Sequence, residues 1–181
     1  MEFKAKTRTG QILIILNILA WVAFVGFAIE AGAILFSYLM TAIGPEAARN
    51  FYNGLDLYDL RQANFWEFTG VVSFKFAIPA MKAYASILAI KVLSKVSLSN
   101  PFTIGVAKAL EKLSYVVLEI WVIAMVNNAY LTWGLKSVGE LPNKYGDYVS
   151  GEFIFMAGLV FVIAQIFKRG VEIQSENELT V

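Results

Sequence analysis

Cysteine and histidine do not occur in this chain of 181 residues. Disulfides, thiol redox chemistry, histidine-ligated haem and the usual zinc sites are excluded with them. Charge is also scarce. Only 16% of residues are charged, and 15 Lys and Arg against 14 Asp and Glu leave a net charge of +1. Such a balance gives no basic surface for nucleic acid, so no direct nucleic-acid binding is expected. No Gly-rich phosphate loop, metal-binding triplet or paired-carboxylate motif is present. We therefore expect no enzymatic activity, no cofactor and no metal.

What the chain has in abundance is apolar sequence. Hydrophobic residues make up 58% of it, more than a soluble domain of this length can bury. They gather in four stretches, roughly residues 12–43, 70–92, 113–133 and 148–167. Each is close to or above the roughly 20 helical residues that cross a hydrocarbon core. The expected fold is all-α: an integral membrane four-helix bundle, one domain over residues 1–181, with a short cytoplasmic tail at 168–181. The lipid bilayer is its first partner. The first stretch follows Lys4, Lys6 and Arg8. It is about twice the length of a signal-peptide core and has no small-residue cleavage site, so it reads as a retained anchor.

Charges in the connections set the orientation. Lys4, Lys6, Arg8, Lys91, Lys95, Lys108, Lys112, Lys168 and Arg169 fall on one side, and Arg49, Arg61, Lys136 and Lys144 on the other. The positive-inside rule then places both termini in the cytoplasm of a multi-pass protein of the inner (cytoplasmic) membrane. Phe51, Tyr52, Tyr58, Phe65, Trp66, Trp133, Tyr145 and Tyr148 flank the outer boundary, where amphipathic rings are favoured.

Local signals mark the element ends. Gly44-Pro45 should stop the first helix, and Asn53-Gly54 should turn the outer connection, with a short interfacial helix over Glu46–Tyr52. Ser99-Asn100-Pro101 reads as a cap with proline at the first helical position, so the third helix should start near Pro101. Gly151, Gly158 and Gln165, spaced by seven, point to close packing of the fourth helix.

Away from the ends of the stretches lie the charges Glu30, Lys75, Lys82 and Glu119. A charge in mid-membrane costs roughly 3 kcal/mol or more, so it is expected to have a partner or a function. Counting 1.5 Å per residue, Glu30 and Lys75 fall in an outer layer, Lys82 and Glu119 in an inner one. Lys75, Pro79, Lys82 and Ser86 share a helix face. Pro79 also deprives the Lys75 carbonyl of its helical donor. Glu30, Lys75, Lys82, Glu119 and Asn127 are accordingly the candidate polar seam. It is read as ion pairs fixing helix register, as Glu30 and Lys75 snorkelling to the outer interface, or as a polar cavity that binds a ligand or conducts an ion.

Beyond the fourth stretch the chain reads Lys168-Arg169-Gly170 and closes on Glu176-Asn177-Glu178-Leu179-Thr180-Val181. Asn100-Pro101-Phe102 stands before a basic helix running through Ala107 to Leu113. In these features, and in its four-span layout, the chain resembles a family of small bacterial four-helix membrane proteins of unknown function, the domain-of-unknown-function 2975 family. Genes of that family often lie beside a small helix-turn-helix regulator. The resemblance therefore implies a sensor or immunity-type partner of a cytoplasmic helix-turn-helix regulator, receiving an extracytoplasmic peptide or envelope signal. The competing expectation is a small transporter or channel that uses the Lys/Glu pairs and works as a homo-oligomer.

Overall fold

A computed structural model describes residues 8–96, 102–134 and 151–178. Among these residues the regular structure is helical, and the only β-type pairing is an isolated bridge between Phe51 and Leu55. The long helices are α1 (Arg8–Ile43), α3 (Phe65–Lys95), α4 (Ile104–Ala129) and α5 (Glu152–Glu178), with the short α2 (Tyr58–Ala63) between α1 and α3. Three of them, α1, α3 and α5, are long and apolar enough to cross a membrane. In α4 the apolar run is diluted by Glu119, Asn127 and Asn128, and at Tyr130 the α-helix gives way to a π-helical segment, Tyr130–Gly134.

Helix ends follow local chemistry. Gly44 is extended (φ −149°, ψ 118°) and Pro45 opens a 3-10 helix, Pro45–Asn50, so α1 stops where the Gly-Pro step requires. The interfacial helix expected at Glu46–Tyr52 is this shorter 3-10 segment. Asn53 (φ 57°) and Gly54 (φ 71°) both adopt left-handed backbone, which asparagine and glycine tolerate best. Asn64 closes α2 and opens α3. Its Oδ1 accepts from the Trp66 N–H at 2.9 Å and the Glu67 N–H at 3.3 Å, while its Nδ2 donates to Glu67 Oε1 at 3.2 Å. This reciprocal cap satisfies donors that a helix start leaves open, and it starts α3 five residues before the apolar stretch.

The start of α4 falls close to the expected one, well before the apolar stretch. The helix begins at Ile104, and Thr103 is the cap: its Oγ1 accepts from the Val106 N–H at 3.3 Å. Ser99, Asn100 and Pro101 lie outside the described residues.

The chain divides into two compact units. One comprises Gly26–Met81 and Ile120–Ser150; the other comprises Met1–Val25, Lys82–Glu119 and Gly151–Val181. In the first, Ile34, Ala48, Phe51, Leu57, Leu60, Phe68, Val71 and Val72 form a buried core. The Pro45–Ala63 connection is thus a folded cap and not a loose loop. The Leu57 N–H donates to the Ala48 carbonyl at 2.8 Å. Tyr38 stacks on Phe68 at 5.8 Å and shares a 3.2 Å hydrogen bond with Thr69. In the second unit α5 meets its neighbours through aromatic contacts: Phe167 with Phe102 at 5.3 Å and Phe161 with Tyr115 at 6.1 Å. Ala157 and Ala164, seven apart, are the buried small residues of α5. Gly151 and Gly158 instead face open space. The expected packing at Gly151 and Gly158 is therefore corrected to Ala157 and Ala164, while Gln165 is half-buried as a packing position would be.

Candidate functional site

The unit built on Gly26–Met81 and Ile120–Ser150 holds Glu30, Lys75 and Asn127. Glu30 and Lys75 are half-buried, and Asn127 is 0% exposed. Among the described residues no salt bridge joins Glu30 to Lys75. One turn beyond Asn127, Tyr130 crosses onto α3. Its ring lies 5.7 Å from that of Phe74, and a Cβ built on Gly70 would meet its Oη at 2.7 Å. Gly70 thus admits the tyrosine, and the two helices approach closely on either side of it.

Neither the Oδ1 nor the Nδ2 of Asn127 has a hydrogen-bond partner among the described residues. An unsatisfied buried polar group costs about 1–3 kcal/mol. Asn127→Leu keeps most of the volume and removes that cost. The variant should therefore melt at a higher temperature than the parent in detergent. A lower melting temperature would mean that a polar partner bound at this level supports the fold.

The other unit holds Lys82 and Glu119. Lys82 is half-buried, with its Nζ 6.0 Å from the centroid of the Phe153 ring on α5, at the edge of cation–π range. Ser86 Oγ donates to the Lys82 carbonyl at 2.9 Å. Glu119 lies on the exposed face of α4 with Tyr115, Leu118 and Val122. No salt bridge joins it to Lys82 among the described residues. Helical spacing predicts which residues share a face of α4. It does not predict which face turns toward α3.

Two further clusters carry polar chemistry that the sequence reading did not single out. On the cap, Arg49 Nε donates to Glu46 Oε2 at 2.6 Å, and its guanidinium lies 3.8 Å over the Tyr58 ring. Hydrogen bonds from Arg49 and Tyr58 hold the Glu46 carboxyl below the usual carboxylate range. In the other unit, Lys112 Nζ sits 5.4 Å from the Tyr84 ring centroid. In the same unit, Phe102 rests on Gly170: a Cβ there would fall 2.5 Å from Phe102 Cδ1. Phe102 and Gly170, from the two segments that carry the family resemblance, are therefore in contact.

Among the described residues no group of three or more acidic side chains is placed to hold a metal ion. The class defined so far is, among the described residues, a helical protein with three helices long and apolar enough to cross a membrane. The family model described as "Protein of unknown function (DUF2975)" matches residues 65–181, and the chain belongs to that family. The match begins at the first residue of α3, so α1 and the cap lie outside it and the shared region is narrower than the whole four-span layout. No curated protein and no solved structure matches the chain.

Proposed function

We propose that this is a non-enzymatic multi-pass protein of the bacterial inner membrane that crosses it four times with both termini inside. It acts as a sensor or immunity-type partner of a cytoplasmic helix-turn-helix regulator. The observation that carries this reading is the shape of α5. The helix does not end with its apolar stretch but continues unbroken through Lys168–Glu178. At 1.5 Å per residue, those residues extend it by about 16 Å. Arg169 and Glu172 pair along this extension at 2.8 Å. A charged helical arm of this kind suits a protein partner in the cytoplasm.

The folded Pro45–Ala63 cap supports the receiving side of the proposal. Trp66 exposes 78% of its surface beside the cap, where a peptide or envelope component would meet it. Treating α4 as the fourth crossing leaves Glu119 on a lipid-facing surface, and a second copy covering that face would shield it.

Co-purification tests the reading. The full chain and a chain lacking residues 174–181, which keeps the Phe102–Gly170 contact, would be extracted in detergent from cells containing the adjacent regulator. The regulator should be recovered with the full chain and fall at least about tenfold with the shortened one. Equal recovery with both chains, or none with either, would remove the proposal.

A further inference from the structure

We propose that the junction of α4 and α5 binds the phosphate group of an anionic phospholipid headgroup, through Lys108 and Lys168. The inference rests on the membrane reading and is independent of any regulator. A cavity of about 40 Å³ lies between the two helices, lined by Ile104, Ala107, Lys108, Glu111, Gln165 and Lys168 together with the buried Ala164. With about 10–15 Å³ needed per water-sized sphere, that space takes roughly three spheres, room for some of the oxygens of a phosphate group while the rest stay outside.

The charge around it is positive. Lys108 and Lys168 supply two ammonium groups to the lining and Glu111 one carboxylate. Neither lysine forms a salt bridge among the described residues, although Glu111 lines the same cavity. The neighbouring cations are placed differently. Arg169 is held by Glu172, and Lys112 lies over Tyr84. Lys95 of α3 reaches the same end, its Nζ 3.6 Å from where a Cβ of Gly105 would lie. Gln165 adds a half-buried amide that can donate to a phosphate oxygen.

Depth selects a lipid as the source of that phosphate. Lys112 directly precedes the apolar run of α4, and Lys168 directly follows that of α5. The cavity therefore sits at the level where apolar sequence gives way to charge, which is where headgroups lie. Basic pockets between spanning helices at this level bind anionic headgroups, and each lysine contributes about 1 kcal/mol. Phe102 on Gly170 holds the approach to α4 against α5 just beyond its apolar run. That contact brings together two lysines far apart in sequence.

The test is thermal unfolding of the full chain in detergent during titration with phosphatidylglycerol, phosphatidylcholine or inorganic phosphate. Phosphatidylglycerol should raise the midpoint, and the other two should not. Lys108→Gln with Lys168→Gln should move the half-saturating phosphatidylglycerol concentration up roughly thirtyfold, about fivefold per lysine. Lys91→Gln, on an exposed site of α3, should leave it unchanged. Glu111→Gln removes the only acid of the lining and should tighten binding, so the proposal stays testable if the double variant fails to fold. An unchanged response in the double variant, or weaker binding in Glu111→Gln, would overturn the site. An equal response to phosphatidylcholine would mean that the headgroup is not read. An equal response to inorganic phosphate would mean that the ligand is a soluble anion and not a lipid.

Discussion

Phe68→Ala should lower the stability of this protein by about 3–5 kcal/mol, the range for removing a buried phenylalanine side chain. Phe68 is 0% exposed. Its ring lies 5.8 Å from Tyr38 of α1, 6.1 Å from Phe51 of the cap and 6.5 Å from Phe65 of its own helix. The Arg61 guanidinium sits 5.9 Å from its centroid. One side chain thus joins the end of α1, the cap and the start of α3. The aromatic contacts add directional attraction to the burial, and the cavity left by alanine cannot close without moving all three elements. Trp66, two residues earlier and largely exposed, is the control: Trp66→Ala should change stability by less than about 0.5 kcal/mol. Thermal or denaturant unfolding in one detergent would measure both. Equal losses for the two variants would mean that the cap has no core of its own.

The second large effect is expected at Gly170. A Cβ there would lie 2.5 Å from Phe102 Cδ1 and 2.8 Å from its Cγ. These atoms are at the root of the ring, so the side chain cannot swing aside without leaving its place against Phe167. Gly170→Ala should therefore destabilise by about 1–3 kcal/mol, as overpacking does, even though alanine favours helix by about 1 kcal/mol over glycine. Gly158 faces open space, so there only the propensity gain remains. Gly158→Ala should be neutral or slightly stabilising. Gly170→Ala combined with Phe102→Ala should recover part of the loss, since the partner of the clash is gone. Additive losses in the double variant would mean that the two residues do not touch.

Gly170 and Gly158 also show how far the sequence can be read. Both are glycines on one helix, and the seven-residue spacing of Gly151, Gly158 and Gln165 pointed to packing at two glycines that face open space. In a soluble helix the apolar side is the buried side. In a spanning helix the lipid-facing and protein-facing residues are both apolar, so hydrophobic periodicity loses its power to choose. Ala157 and Ala164 are buried while Phe155, Met156 and Val162 are exposed, the reverse of what a soluble amphipathic pattern would give. The same ambiguity governs Glu119. Its helical neighbours were predictable, but its position on the exposed face of α4 depends on how that helix is rotated.

The family resemblance shows a different limit. Asn100-Pro101-Phe102 and Lys168-Arg169-Gly170 could be recognised separately, and the match over residues 65–181 contains both. Nothing in either segment announced that Phe102 lies on Gly170. A contact across so many residues leaves no trace in local spacing. The missing side chain at position 170 was the only hint of it.

What the sequence alone determined is local or compositional. Long apolar runs with few prolines dictated helices, and the Gly44-Pro45 step ended the first one because a residue before proline avoids helical backbone. Asn53-Gly54 turned the outer connection because those residues tolerate positive φ. The Asn64-x-x-Glu67 spacing could also have been read as a cap from sequence. Tertiary structure decided the rest: that the cap folds around Phe51, Leu57, Leu60 and Phe68, that Lys82 lies near Phe153 while Glu119 faces outward, and that Lys108 and Lys168 border one cavity. These depend on the rotation and close approach of helices whose faces are all apolar, and that choice is made by side-chain fit between residues distant in the chain.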